Sequence, residues 1–192
     1  TAVEKVERNG NELLLTAKGK KGELSIPTDL VLVSAGRRPL TAGLNLEMLG
    51  IATDDHGFIK VDKNYATTVP GIYAIGDVKG GMMLAHVASH DADVVVNNIA
   101  VTLGKINYPI RKPEYGMVPY TIFTYPEIGT VGQTESKLKK QGIKPLVGKF
   151  SYSSLGKAQC IGNAEGFLEV IVDPETDLIL GATCVGHSAS EL

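Results

Sequence analysis

Asp77 is the residue whose type and position most clearly suggest chemistry. It follows Gly76 at the end of the apolar segment 72–75. In open α/β sheets, ligands bind outside the carboxyl ends of strands, because the loops diverge there. An ionised carboxylate at that point accepts hydrogen bonds from hydroxyl groups. Asp also forms turns without any ligand, and the residues alone leave both interpretations open.

A second segment has the same design. Residues 30–33 are continuously apolar, as expected of a strand buried on both faces, and they lead to Gly36 and the pair Arg37 and Arg38. Because glycine has no Cβ, a ligand could approach the backbone at Gly36. The two arginines are most simply a solvated pair that fixes a loop, and contact with a nucleotide phosphate is the alternative.

A long helix is predicted directly after Asp77. Residues 84–103 carry apolar side chains at helical spacing, and Gly104 serves as a stop. The stripe consists of Leu84, Ala88, Ala92, Val95, Val96, Ile99 and Leu103. A helix that starts near Met83 would present free N–H groups and a partial positive charge to an electron-rich ligand.

Other combinations of reactive residues are weaker. Ser89, His90 and Asp91 have the residue types of a catalytic triad, but consecutive helical positions point in different directions and cannot meet. His86 and His90 lie four residues apart and could hold a metal, but no third ligand is apparent nearby. The sequence has no glycine-rich dinucleotide fingerprint, no P-loop and no closely spaced cysteine pair.

Composition indicates a globular protein of one domain or two small ones. The 192 residues are 43% hydrophobic, and the formal net charge of −2 gives no reason to expect nucleic acid or an anionic membrane as partner. No signal-peptide pattern or membrane-spanning run is present. Cys160 and Cys184 are too few and too far apart for a disulfide framework, so we expect two buried thiols and a cytoplasmic location.

The remaining elements predict an α+β arrangement after residue 113. Residues 3–27 read as three strands with a turn at Asn9-Gly10, and short strands are expected at 58–61 and 72–75. Residues 104–117 form a linker, followed by strands around a helix capped by Thr134. At the end, Ser188 and Glu191 have the spacing of a capping box, which predicts the start of a helix and a larger parent protein.

Three motifs resemble a known family. The segments VLVSAGRRPLTAGLNLEMLGI, GIYAIGDVKGGMMLAH and TIFTYPEIGTVGQTE occur in this order and spacing in FAD-containing pyridine nucleotide–disulfide oxidoreductases. MLAH after the Gly-Asp motif favours the dihydrolipoamide dehydrogenase branch. The resemblance implies a remnant of FAD/NAD(P)-binding Rossmann-like domains followed by an α+β dimerisation domain. Residues 1–38 would end the NAD-binding domain, 39–112 would be the FAD-binding central segment, and 113–192 the incomplete dimer-interface domain.

The resemblance also implies cofactor contacts. Asp77 would bind a ribityl hydroxyl of FAD, and Gly36 would line the NAD-side crevice. The start of the long helix would lie against the flavin ring through Met83, Leu84, Ala85 and His86. No residue of the chain would be catalytic, since the family's redox-active cysteine pair lies upstream and its active-site histidine downstream.

The implied activity is oxidation of dihydrolipoyl groups, with electrons passing through a disulfide and FAD to NAD+. The implied partners are a second copy, bound through residues 113–192, and the lipoyl-bearing acyltransferase of a 2-oxoacid dehydrogenase complex. We expect the chain alone to be inactive and colourless. The alternatives are another FAD-dependent disulfide reductase, similar to glutathione or mercuric reductase, and a non-catalytic dimerisation module. The choice between NAD and NADP stays open.

Overall fold

The computed structural model describes residues 2–192, and the chain divides into two compact units, Thr1–Arg38 and Pro39–Leu192. The first unit contains an antiparallel sheet of three strands in chain order. These strands are β1 (Ala2–Asn9), β2 (Glu12–Gly19) and β3 (Gly22–Thr28). The three predicted strands are therefore confirmed.

The first hairpin turns one residue later than predicted. Asn9 pairs with Glu12, so the two-residue loop is Gly10-Asn11 rather than Asn9-Gly10. Gly10 has a φ of +62°, the left-handed conformation that such a tight turn requires of its first residue. A glycine at the first loop position meets this requirement without steric cost.

The predicted strand at residues 30–33 is wrong. Residues 30–38 form no strand, and Leu30, Leu32 and Val33 are 79–88% exposed. An apolar run becomes a buried strand only where neighbouring strands take up its N–H and C=O groups. In this unit β3 pairs with β2 alone, so among the described residues the segment 30–33 does not extend the sheet.

The second unit begins with a loop-rich region that surrounds one helix. The strands predicted at 58–61 and 72–75 are each reduced to a single bridge, Thr53 with Ile59 and Ala66 with Tyr73. The chain reverses too soon after each bridge for a ladder to form. The loops instead bury small apolar clusters, of which one is centred on Ile51, Ile59 and Ala74.

Helix α1 (Ala85–Thr102) confirms the predicted long helix, and Gly104 follows it with a φ of +65°. The predicted apolar stripe is partly wrong, because Val96 and Leu103 are about two-thirds exposed. The buried face consists of Val87, Asp91, Val94, Val95 and Asn98. Two polar side chains can occupy this face because both have hydrogen-bond partners there.

The rest of the second unit is a five-stranded antiparallel sheet in the order β4-β5-β8-β7-β6. Its strands are β4 (Tyr120–Ile122), β5 (Glu127–Gly132), β6 (Leu146–Ser151), β7 (Gly166–Val172) and β8 (Ile179–Gly186). Helix α2 (Glu135–Lys140) starts at the predicted cap, where the Thr134 hydroxyl accepts from the Lys137 N–H over 3.3 Å. The predicted α+β arrangement is confirmed, and the short helix α3 (Gly156–Cys160) is an addition to it.

Two local predictions near the end of the chain are wrong. Cys184 is buried, but Cys160 is exposed at the end of α3, and both are free thiols. Ser188 has a φ of +57° and makes no capping bond, because an N-cap requires an extended backbone. A single 3-10 turn, Ala189–Glu191, follows it, and the backbone and hydroxyl of Ser190 instead donate to the carboxylate of Glu127.

Candidate functional site

Asp77 lies in a single 3-10 turn, Gly76–Lys79, which packs against α1. Gly76 has a φ of +67°, and a Cβ on it would lie 3.1 Å from the Cβ of Ala88, so a larger residue would be both strained and crowded. The N–H of Gly80 closes the turn by donating to the carbonyl oxygen of Asp77 over 3.0 Å. The turn therefore has a defined shape, with the half-buried Asp77 near its beginning.

The four residues predicted to face the flavin lie where α1 begins. Met83 and Leu84 precede the helix and are half-buried, whereas Ala85 and His86 are exposed in its first turn. The apolar side chain of Leu84 cannot cap the helix, so no side chain of that residue competes for the first N–H groups. His86 Nε2 donates to the carbonyl oxygen of Pro119 over 2.9 Å, which links this turn to the segment before β4.

The buried carboxylate of Asp91, on α1, contacts the turn. Asp91 is fully buried, and its Oδ1 accepts hydrogen bonds from the hydroxyls of Tyr65 and Tyr115, each over 2.6 Å. Its Oδ2 lies 3.1 Å from Lys79 Nζ and accepts from the N–H of Gly76 over 3.4 Å. A carboxylate has about four acceptor positions on its two oxygens, so these four donors satisfy it.

The surroundings of Asp91 keep it ionised. Burial alone raises the pKa of its carboxyl, but the hydrogen bonds from Tyr115, Tyr65 and Lys79 outweigh burial and hold the pKa below its usual range. Burial and the hydrogen bond to Asp91 raise the pKa of Tyr65, which keeps its hydroxyl protonated as a donor. Lys79 Nζ also lies 5.5 Å from the ring centroids of Tyr65 and Tyr115, within the range of cation–π attraction.

The predicted cofactor-binding residues are divided between the two units. Asp77 and residues 83–86 belong to the second unit, where the 3-10 turn and α1 bring them into one region. Gly36 belongs to the first unit, in the exposed segment after β3, and has a φ of +92°. Its assignment to a nucleotide crevice stays a prediction, as does the division of the chain into three segments.

The sequence alone does not identify the buried Asp91 carboxylate or its partners Tyr65, Tyr115 and Lys79. The sequence presents Asp91 as part of the rejected Ser89-His90-Asp91 triad, although its spacing from Val87 and Val94 places it on the buried face of α1. That spacing is the one local signal that could have identified it. Tyr65 and Tyr115 are 26 and 24 residues from Asp91 along the chain, so no local pattern connects them with it.

The described residues contain neither a cluster of metal ligands nor a helix that could span a membrane. No group of three or more His, Cys, Asp or Glu side chains in residues 2–192 is arranged to hold a metal ion. His90 Nε2 is buried without a hydrogen-bond partner, and its ring lies edge-on to Tyr115 at a centroid distance of 6.4 Å. Within the same residues, no helix has the length and apolarity needed to cross a membrane.

Comparison with known protein families identifies the family to which the chain belongs. Residues 1–92 match the family model of pyridine nucleotide–disulphide oxidoreductases, and residues 118–192 match the dimerisation domain of the same family. The chain belongs to this family. The resemblance carried by the three motifs, and the fold class it implied, are therefore confirmed.

Three individual proteins show which members of the family the chain is similar to. The chain is 43% identical to dihydrolipoyl dehydrogenase 1, mitochondrial, from Arabidopsis thaliana, over all of this chain and 37% of that protein. It is 41% identical to dihydrolipoyl dehydrogenase from Cupriavidus necator, over 96% of this chain and 37% of that protein. The Cu(II) complex of the HOCl-induced flavoprotein disulfide reductase RclA from Escherichia coli has a similar structure. It matches with a TM-score of 0.85 and 27% identity, over all of this chain and 41% of that one. The chain thus spans less than half the length of these relatives.

Family membership has two direct consequences. Pyridine nucleotide–disulphide oxidoreductases use FAD and NAD(P), so a flavin and a nicotinamide cofactor belong to the chemistry of this family. Residues 118–192 match the domain through which members of this family dimerise.

Proposed function

We propose that these 192 residues supply the flavin-facing turn and the dimer-forming sheet of a FAD-dependent dihydrolipoyl dehydrogenase. The observation that carries the proposal is the placement of Asp77 in a rigid turn that packs against α1, close in sequence to the helix's uncapped beginning. Two relatives that are 43% and 41% identical to the chain over the matched residues carry this activity in their names.

The residues present fit a flavin. Gly76 and Gly80 allow a tight turn without side chains, and the Asp77 carboxylate can accept a hydrogen bond from a ribityl hydroxyl. The first N–H groups of α1, from Ala85 onward, can stabilise negative charge at a ligand, because the helix dipole is positive at that end. Met83 and Leu84 offer apolar surface on the approach to the helix. When bound, FAD supplies hydride and electron transfer between a dithiol and a nicotinamide.

The chain's own thiols do not supply the dithiol. Cys160 is exposed on α3, Cys184 is buried beside Tyr152, and neither is paired. Thiol–disulfide exchange needs two cysteines that can form a bond with each other. We therefore propose that the isolated 192-residue chain has no dihydrolipoyl dehydrogenase activity. We further propose that the complete enzyme acts on lipoyl groups of a 2-oxoacid dehydrogenase acyltransferase, with NAD+ as acceptor and in the cytoplasm.

The test uses the full-length polypeptide that carries these residues. Asp77→Asn removes the charge of the carboxylate, and Asp55→Asn is the matched control at an exposed loop position. We expect Asp77→Asn to lose about 1.4 kcal/mol or more of interaction with FAD. It should therefore weaken FAD binding about tenfold or more, because about 1.4 kcal/mol corresponds to a factor of ten in the dissociation constant. The control should bind FAD as the unaltered protein does. Equal FAD affinity in all three proteins would contradict the assignment of Asp77.

A second candidate is a flavoprotein disulfide reductase with another substrate, favoured by the structural match to RclA. Dihydrolipoamide-dependent formation of NADH from NAD+ by the full-length protein separates the two. Turnover with dihydrolipoamide supports the first proposal, whereas flavin binding without such turnover supports the second. A chain that dimerises but binds no flavin in its full-length form would support the non-catalytic dimerisation module instead.

A further inference from the structure

The Asp91 carboxylate is attached to both ends of the turn that carries Asp77. Its Oδ2 accepts from the N–H of Gly76, the first residue of the turn, and pairs with the ammonium group of Lys79, the last. Asp77 and Val78 lie between these two attachment points. The single oxygen atom Oδ2 therefore links the first and the last residue of the turn.

The carboxylate is itself held from the other side. Its Oδ1 receives the hydroxyls of Tyr65 and Tyr115, so the side chain cannot rotate without breaking two short hydrogen bonds. Tyr65 is also fixed through its backbone, because its carbonyl oxygen accepts from the N–H of Ala74 over 3.0 Å. The contacts on Oδ1 thus determine where Oδ2 lies, and Oδ2 determines the position of the turn.

The same residue connects the turn with the beginning of α1. Asp91 belongs to α1 itself, six positions after Ala85, and a helix of this length is rigid over so short a distance. The turn also accepts a tertiary backbone hydrogen bond, from the Ile59 N–H to the Val78 carbonyl oxygen over 2.9 Å. Asp91 therefore connects the turn to the helix through both its backbone and its side chain.

We propose that Asp91 and Lys79 are positioning residues for flavin binding, which hold the Asp77 turn in register with the first turn of α1. The inference rests on the proposed binding of FAD by Asp77. Neither residue has to touch the cofactor. A largely buried ion pair could instead contribute only to stability, and the experiment has to separate these two roles.

The deciding variants change the pair in the full-length flavoprotein. Asp91→Asn alone leaves the Lys79 ammonium buried without a counter-charge, and this can unfold the protein. The double variant Asp91→Asn with Lys79→Met removes both charges, so it avoids the unpaired charge. Lys79→Met alone releases the far end of the turn but keeps the carboxylate bound by its tyrosines. Asp93→Asn is the matched control, the same substitution at an exposed position of α1.

The measurements are the melting temperature of each apoprotein and its dissociation constant for FAD, obtained by titration of the visible flavin band. We expect the double variant to melt near the unaltered protein but to bind FAD about tenfold more weakly, since loss of one charged contact is worth about that factor. Lys79→Met should weaken FAD binding in the same direction, and Asp93→Asn should change neither quantity.

Two results would overturn the inference. The first is a folded double variant that binds FAD as tightly as the unaltered protein, which would leave the pair with a purely structural role. The second is unaltered FAD affinity in Lys79→Met, which decides the matter if the double variant does not fold. Failure of the proposed function has a different signature, because Asp77→Asn would then leave FAD binding unchanged as well.

Discussion

Replacing Tyr65 and Tyr115 by phenylalanine, singly and together, tests how the buried Asp91 carboxylate is stabilised. The three oxygen atoms form a triangle, with 2.6 Å from each hydroxyl to Oδ1 and 2.8 Å between the hydroxyls. Only two hydroxyl protons are available for these three oxygen–oxygen contacts. Because an ionised carboxylate is the stronger acceptor, both hydroxyls donate to Asp91, and the contact between the tyrosines has no proton of its own.

The magnitudes follow from burial. A hydrogen bond to a charged group contributes about 1.5–3 kcal/mol to stability. Tyr65 is 3% exposed, so we expect Tyr65→Phe to lower the free energy of unfolding by about 3 kcal/mol. Tyr115 is 38% exposed and water can replace part of its role, so Tyr115→Phe should cost about 1.5 kcal/mol.

The double variant should cost more than the sum of the two single variants, by about 1 kcal/mol. Each single change leaves Oδ1 with one donor and removes the crowding between the hydroxyl oxygens. The double change leaves Oδ1 with no donor from either tyrosine, although the side chain of Asp91 stays buried and charged. An unsatisfied buried acceptor is more costly than a lost bond.

The assay is urea unfolding of the 192-residue chain, followed by circular dichroism, because the chain contains no tryptophan. Tyr73→Phe is the control, since Tyr73 is also 37% exposed and no hydrogen bond involves its hydroxyl within the described residues. A double variant that costs less than the sum would show that the tyrosines bond each other instead. Equal stability of Tyr65→Phe and the control would refute the reasoning altogether.

Three further predictions concern the rest of the chain. Because the folded-state pKa of Asp91 lies below its unfolded value, its contribution to stability is present at neutral pH and is lost as pH falls below about 4. Urea midpoints measured from neutral to acid pH should show this loss, and the double variant Asp91→Asn with Lys79→Met, which leaves no unpaired charge, should flatten it. Gly166→Ala should destabilise the chain by about 2 kcal/mol or more, because φ is +129° and the added Cβ would meet a carbonyl of β8. Gly148→Ala, which meets nothing closer than 4.0 Å, should be far milder in the same unfolding assay. A thiol reagent should modify Cys160 in the native chain and Cys184 only after unfolding, and equal native rates for both would contradict the burial.

Local patterns in the sequence determined much of the fold. The hairpin turns between the first three strands, the long helix followed by Gly104 and the Thr134 cap each depend on short-range geometry, and the structure contains them, with the first turn one residue later than predicted. The Gly-Asp motif and its distance to MLAH identified the family, because these residues form one turn and one helix start that are close in sequence.

The tertiary structure decided which residues support that motif. Asp91 accepts from two tyrosines more than 20 residues away on either side, and no periodic pattern links positions at such separations. Burial is likewise a property of neighbours, which is why the apolar segment 30–33 is exposed and a polar residue occupies the centre of the buried face of α1. Sequence patterns indicate whether a residue favours a buried or an exposed position. The partners that satisfy a buried charge, by contrast, come together only when the chain has folded.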